Sequence, residues 1–126
     1  RRVLFRSVDK ELEARAITKA LEKIAARQQL EINKALSALL ATKTGRDFLW
    51  WLLSETGVGR NPFSPDPLKM SFACGELNTG QKLQARIMEV DQMGYFRMLE
   101  DQLEYERERA IAATTAGTAA HDTDGA

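Results

Sequence analysis

The side chains of this sequence that could do chemistry are few and scattered. Cys74 is the only cysteine and His121 the only histidine, which excludes an internal disulfide and a cysteine zinc site. A nucleophilic cysteine needs a base, and no histidine lies near Cys74 in the chain. Asp122 and Asp124 neighbour His121, but nothing around them is expected to order a ligand set. We therefore predict a core position for Cys74 and no role in chemistry for His121.

Acidic pairs in the second half of the chain are the remaining candidates for binding an ion. Glu100 with Asp101, and Glu104 with Glu108, are interleaved with arginines, which favours a solvated, salt-bridged helix face. The stretches GVG and GELNTG lack the lysine and serine of a Walker motif, and no predicted strand precedes them. We therefore expect a protein that is not an enzyme and has no cofactor and no metal site.

The composition fits one small domain of 126 residues, of which 44% are apolar and 29% charged. Eighteen basic residues balance eighteen acidic ones, so no basic excess attracts nucleic-acid phosphates. The longest apolar run, FLWWLL at 48–53, is far shorter than the roughly 20 residues that span a bilayer. We expect no membrane association, and we see no secretory signal.

Residues 1–7 have a separate explanation. RRVLFRS is the translation of AGA-CGT-GTG-CTC-TTC-CGA-TCT, which resembles the end of a common sequencing adapter, so we interpret it as an artefact outside the functional protein. Without its three arginines the chain has 15 basic and 18 acidic residues, a net charge of −3. This strengthens the case against a nucleic-acid-binding domain.

The stretch TGRDFLWWLLSETGVGRNPFSPDP, residues 44–67, concentrates the aromatic residues. It contains both tryptophans, two of the five phenylalanines and all three prolines. The pattern predicts a short helix over about 46–56, capped by Thr44 and ended by Gly57, followed by a loop that the prolines hold extended. A helix that is apolar on nearly all sides is either buried on several sides or in contact with a partner.

We expect the core to take one part of this block and a partner protein to take the other. Trp51 and Leu52 are predicted to pack between the long helices, together with Phe48 and Leu49. Because tryptophan and arginine dominate interface energetics, the aromatic residues of the block, the flanking arginines and Leu53 are the predicted interaction residues. They are Arg46, Phe48, Trp50, Trp51, Leu53, Arg60 and Phe63.

Long helices are predicted on both sides of the block. Apolar spacings of mostly three and four, many alanines and no interior glycine predict a helix over 9–41, whose narrow stripe includes Gln28 and resembles a coiled-coil or helical-hairpin seam. A second helix is predicted over about 68–112, with Asp66 as N-cap and Pro67 in its first turn. This second helix could bend or break at Asn-Thr-Gly (78–80) or at Met-Gly (93–94), because glycine is unfavourable inside a helix.

These elements define an all-α fold. Two long helices flank the short aromatic helix and the proline-rich loop in a hairpin-like arrangement, and no strand signal is present. We expect a single helical domain over 8–113 and a disordered tail over 114–126, which is small and polar.

At the aromatic block the sequence resembles a family of small proteins of tailed bacteriophages, the short-tailed type especially, which are usually encoded among virion genes. The shared pattern is a GR..L..LL helix, a loop with a glycine and a following phenylalanine, and a helix that opens with F..G and N.G. It covers about residues 39–90. The matching residues are Gly45, Arg46, Leu49, Leu52, Leu53, Gly57, Phe63, Phe72, Gly75, Asn78 and Gly80.

The resemblance implies a minor virion or virion-assembly protein, located in the virion and, during assembly, in the host cytoplasm. Its expected partners are portal, head–tail or other virion proteins, or further copies of itself. Alternatives are an internal protein released with the genome, an assembly factor absent from the mature virion, and, in another class, a nucleic-acid-binding regulator. We expect close helix packing, with the paired glycines near Trp50 and Trp51, at Phe72, Gly75, Asn78 and Gly80.

Overall fold

A computed structural model describes the backbone of residues 2–124 and the side chains of residues 5–122. Over this range the protein consists of helices and connecting turns, which confirms the all-α prediction. The four helices are α1 (Arg2–Leu40), α2 (Lys43–Glu55), α3 (Pro67–Val90) and α4 (Gln92–Asp124). The predictions for Arg1 and for residues 125–126 lie outside the described residues.

The chain divides into two units. The first ends at Ala35 and consists of the N-terminal part of α1, and the second begins at Leu36. In the first unit every described side chain from Phe5 to residue 32 is exposed, including its isoleucines and leucines. This helix therefore has no hydrophobic core of its own, and its alanine-rich composition accounts for its helical propensity.

The second unit contains a small aliphatic core to which all four helices contribute. Its six buried side chains are Leu36, Leu40, Leu49, Leu53, Ile87 and Met98. Partly buried apolar side chains pack around them, namely Leu39, Trp50, Val58, Leu83, Val90 and Tyr95. The core is thus built mainly from leucine-sized side chains, and aromatic rings lie at its edge.

The N-cap of helix α2 lies two residues before the expected one. Thr42, rather than Thr44, is the N-cap, and its hydroxyl accepts a hydrogen bond from the Gly45 backbone N–H at 3.1 Å. Gly45 lies inside the helix, at a point where α2 passes close to the end of α1. Glycine is required there because a Cβ would lie 2.6 Å from the Leu39 carbonyl carbon. At the other end, Gly57 has a φ of +85°, which confirms the predicted left-handed stop.

The predicted helix over 68–112 is two helices. Its start is confirmed, because the Asp66 carboxylate accepts from the Leu68 N–H at 3.0 Å and Pro67 follows it. The break comes at Asp91, whose carboxylate accepts from the Gly94 N–H at 2.9 Å, as an N-cap residue does. Helix α3 continues through 78–80, so of the two predicted break positions only the one near 93–94 lies close to the real one.

The predicted disorder of residues 114–124 is wrong, because α4 continues to Asp124. Alanines supply helix propensity in this segment. Its threonine hydroxyls are accommodated within the helix by bonding to carbonyl oxygens four residues earlier: Thr114 donates to Ala110 and Thr118 to Thr114, at 2.9 and 3.0 Å. A small, polar composition therefore does not prevent helix here.

The expected close packing of α3 is confirmed at only one position. Gly80 is buried. A Cβ there would lie 2.7 Å from the Val58 Cγ2 and would also clash with the Thr56 side chain. Its neighbours are therefore the end of α2 and the turn that follows it. Gly75 has open space around it, and Phe72 and Asn78 are exposed. The nearest atoms to a Cβ at Gly80 thus belong to Thr56 and Val58 and not to a tryptophan, and no side chain lies within 4 Å of one at Gly75.

We predict opposite effects for the same substitution at the two glycines of α3. Gly80→Ala should lower the free energy of unfolding by about 1–2 kcal/mol, because overpacking of a filled site outweighs the gain in helix propensity. Gly75→Ala should raise it by about 0.5–1 kcal/mol, because a methyl group there meets nothing. Urea unfolding of both variants measures this, and equal stabilities would contradict the packing.

Candidate interaction surface

Helix α2 has a core face and an exposed aromatic face. Gly45, Leu49 and Leu53 recur every four residues and are buried, so they form the core face. Phe48 and Trp51 lie three residues apart on the other side and are half exposed. Their ring centroids are 6.0 Å apart at an interplanar angle of 34°, a favourable tilted arrangement. We call Phe48 and Trp51 the aromatic pair.

The loop after α2 presents a third exposed ring, Phe63, of which 74% is accessible. Local hydrogen bonds shape this loop: the Phe63 N–H donates to the Asn61 side-chain oxygen at 3.0 Å, and the Asp66 N–H donates to the Ser64 hydroxyl at 3.2 Å. The Arg60 guanidinium donates to the Ser54 carbonyl oxygen and so ties the loop back to α2. The loop is therefore a defined structure that displays Phe63.

Arg46 has a structural role that the sequence did not predict. Its Nε donates to the Asp101 carboxylate at 2.6 Å, and its Nη1 donates to the Leu40 carbonyl oxygen at 3.0 Å. The two side chains of this ion pair are only 14% and 18% exposed. Arg46 therefore joins α2 to α4 and satisfies a carbonyl at the end of α1, and is not available as an interface arginine.

The other predicted interaction residues divide between core and surface. Leu53 is 2% exposed and belongs to the core, and Trp50 is half buried against it, so neither is free to face a partner fully. Of the residues expected in the core, Leu49 is buried as predicted and Leu52 is half buried. Placing Trp51 and Phe48 in the core was wrong. The face of α2 that packs on the core accommodates Leu49, Leu53 and part of the Trp50 ring.

Helix α3 adds apolar surface that sequence reasoning missed. Leu68 and Phe72 are both largely exposed and, being four residues apart, lie on the same side of α3. The signal was present as an i, i+4 apolar pair in the first two turns. It was overlooked because Phe72 was assigned to helix packing with Gly75.

The candidates for chemistry do not form a site. Cys74 is exposed, so its predicted core position is wrong. His121 is exposed on α4. Within the part of the chain that is described, no group of three or more histidine, cysteine, aspartate or glutamate side chains could hold a metal ion. Asp101 is the partner of Arg46, so the acidic pair it forms with Glu100 is not a free carboxylate pair.

Two open clefts lie in the second unit. One, of about 290 Å³, lies beside the loop and is lined by polar residues such as Arg60 and Glu76. The other, of about 300 Å³, is lined by Trp50 and Tyr95 among others, and there the Tyr95 hydroxyl accepts a hydrogen bond from Gln84 at 2.7 Å. Both clefts are partly open to solvent, which suits contact with a protein surface better than enclosure of a small ligand.

None of the described helices is long and apolar enough to cross a membrane. The chain matches no family model, no curated protein and no solved structure. What the surface binds therefore has to be inferred from its own residues.

We predict that the Arg46–Asp101 ion pair contributes strongly to stability. Arg46→Gln should lower the free energy of unfolding by about 2–3 kcal/mol, because it leaves a mostly buried carboxylate without its partner. The control is the exposed Lys43–Asp47 pair on the same helix, where Lys43→Gln should cost less than about 0.5 kcal/mol. Urea unfolding measures both, and similar losses would show that the Arg46 pair is no stronger than a surface pair.

Proposed function

We propose that this chain is a non-enzymatic structural or assembly protein of a tailed bacteriophage particle. It binds other virion proteins, such as portal or head–tail components, through the aromatic pair and Phe63. The observation that carries the proposal is that these three rings are exposed on a unit whose aliphatic core excludes them. Large aromatic side chains of this kind are the usual anchors of protein–protein interfaces.

The energetics set the size of the partner contact. Burying a large apolar side chain completely is worth about 1.5–3 kcal/mol, and these three rings are already partly covered. They can anchor an interface, but a stable one needs roughly 20–30 residues on each side. We therefore expect the contact to spread from the aromatic pair to further exposed apolar residues of the unit, of which Leu68 and Phe72 are the largest on α3.

The phage assignment draws on the sequence resemblance, and the structure gives its residues distinct roles. Gly45, Leu49 and Leu53 form the core face of α2, Gly57 ends that helix, and Gly80 allows the close approach to α3. Most of these residues of the resemblance pattern thus support the packing and the ends of the helices. The aromatic pair lies outside the pattern, so it is the feature of this chain that would select its own partner.

The neutral to slightly acidic charge balance supports a protein partner over nucleic acid, because phosphate binding relies on an excess of lysine and arginine.

The proposal predicts that the chain is a component of purified particles. Quantitative mass spectrometry of virions of the encoding phage should detect it at a fixed number of copies per particle. Trp51→Ser should reduce its incorporation about tenfold or more, because loss of about 1.4 kcal/mol weakens binding tenfold. Tyr105→Ser, which removes a ring that is also 55% exposed but lies on α4, should incorporate normally.

Three outcomes distinguish the alternatives. Presence in assembling particles but absence from mature virions would identify an assembly factor. Presence in virions with loss after genome ejection would identify an internal protein. Equal incorporation of the Trp51→Ser and Tyr105→Ser variants would show that the aromatic pair is not the binding surface.

A further inference from the structure

We infer that the loop after α2 docks into a cleft of a second copy of this chain, and that two copies exchange their Phe63 rings in a twofold dimer. The cleft is the one lined by Trp50 and Tyr95, which we call the Trp50–Tyr95 cleft. The inference rests on the proposed function, since it names another copy of the chain as the protein contacted through Phe63. The aromatic pair takes no part in the exchange and is left for a different virion protein.

The Trp50–Tyr95 cleft has the size and the lining that a phenyl ring needs. Its volume is about 300 Å³, whereas a cavity of about 150 Å³ is enough to hold benzene in another protein. Besides the two rings, its lining includes four apolar side chains, those of Leu53, Val58, Leu77 and Leu99. Phe63 of the same chain does not line this cleft and is 74% exposed, so the site is open to a ring from outside.

The loop is rich in hydrogen-bond acceptors. Its stretch 61–67 has seven backbone carbonyl groups but, because three of the seven residues are prolines, only four backbone N–H groups. Two of these four, those of Phe63 and Asp66, already donate to side chains of the loop itself. A surface that binds this loop closely therefore has to supply donors.

The Trp50–Tyr95 cleft supplies such donors. Its lining includes the indole N–H of Trp50, the side-chain amide of Gln81 and the hydroxyl of Tyr95. The Tyr95 hydroxyl accepts a hydrogen bond from Gln84 and keeps its own proton to donate. Aromatic-lined grooves with such groups are a recurring kind of site for proline-rich segments. The cleft and the loop of this chain are therefore complementary to each other in both shape and hydrogen bonding.

The position of the loop makes the exchange reciprocal. Gly59 lines the cleft and lies four residues before Phe63, so their Cα atoms are at most about 14 Å apart. Ring and cleft are therefore neighbours on the surface of each copy. Two copies related by a twofold axis can each place a ring in the cleft of the other, which is the self-complementary contact of a closed dimer. Each dimer then buries two rings.

The first test removes one of two rings of nearly equal exposure. Phe63→Ser removes the loop ring, and the control Phe72→Ser removes a ring of α3 that is 72% exposed. Sedimentation equilibrium of the full chain, with helicity checked by circular dichroism, measures dimerisation. We expect Phe63→Ser to raise the dissociation constant about a hundredfold or more, because each dimer loses two buried rings, and Phe72→Ser to leave it unchanged.

Two results of this experiment would overturn the inference. One is a single-chain mass of the wild type at every concentration up to about 1 mM. The other is an equal effect of the two serine substitutions on the dissociation constant.

A mixture of two variants tests whether the ring enters this cleft. Gln81 is exposed at the cleft, so Gln81→Trp fills the site without changing the core and should weaken dimerisation as Phe63→Ser does. The control Lys82→Trp adds the same ring at the next exposed position, which is not part of the lining, and should dimerise normally.

Phe63→Ser keeps its cleft and Gln81→Trp keeps its ring, so mixing the two variants restores one of the two contacts. We expect the mixed dimer to form at a concentration at least about tenfold lower than either variant needs alone. Equal dissociation constants for the mixture and for the separate variants would overturn the docking.

Fluorescence places the partner at the cleft directly. In a Trp51→Phe background Trp50 is the only tryptophan. Its emission should move to shorter wavelength as dimers form, because the ring of the partner removes water from the cleft, and it should not move in Phe63→Ser. Dimerisation without this shift would overturn the inference. Because these experiments use the isolated chain, their failure is distinct from a failure to enter phage particles.

Discussion

The second unit depends on one constraint, which is that α2 must bury Leu49 and Leu53 in the same small core as Leu40, Ile87 and Met98. A helix of 13 residues can direct only one face into a core of this size, and the helical period then fixes what every other residue faces. Phe48, one place before Leu49, and Trp51, two places after it, therefore turn outward. The exposure of the aromatic pair is therefore a consequence of the leucine positions.

Two contacts hold α2 in the orientation that this core requires. At its N-terminal end, Gly45 lets the helix pass the Leu39 backbone, and Arg46 bonds both to the last residue of α1 and to Asp101 of α4. At its C-terminal end, Gly80 of α3 receives the side chains of the turn after α2. Glycines allow the close approach of neighbouring elements at both ends of α2, where a larger side chain would not fit. At the N-terminal end, the hydrogen bonds of Arg46 also fix the position of the helix.

The sequence predicted the features that depend on local chemistry. The helical periods, the Asp66–Pro67 start of α3 and the Gly57 end of α2 follow from backbone preferences within a few residues. It failed where the outcome depends on which elements meet. Trp51 was expected in the core because indole is large and apolar, but a core closed by leucines has no room for it.

Other failures have the same origin. Arg46 was expected at an interface because arginine is common there, and only the fold brings Asp101 within 2.6 Å of it. Asp91 ends α3 because its carboxylate caps the next helix, and aspartate does not break a helix by propensity alone. Of the candidate surface, the exposed rings Phe48, Trp51 and Phe63 were among the predicted residues, but the division between exposed and packed ones depended on the tertiary structure.

The N-terminal part of α1 carries exposed isoleucines, which are unfavourable in an isolated helix. In an isolated, exposed helix, alanine, glutamate or lysine would favour the helical state more than isoleucine does, and would keep the surface polar. Ile17, Ile24 and Ile32 therefore lower intrinsic helix stability and expose apolar surface at the same positions, and both effects are unfavourable for a helix surrounded by water. In folded proteins the packing of an apolar helix face contributes more to helix stability than intrinsic propensity does. The last turns of the same helix show that agreement in the second unit, where Leu36 and Leu40 favour helix and are also buried in the core, as a foldable sequence requires.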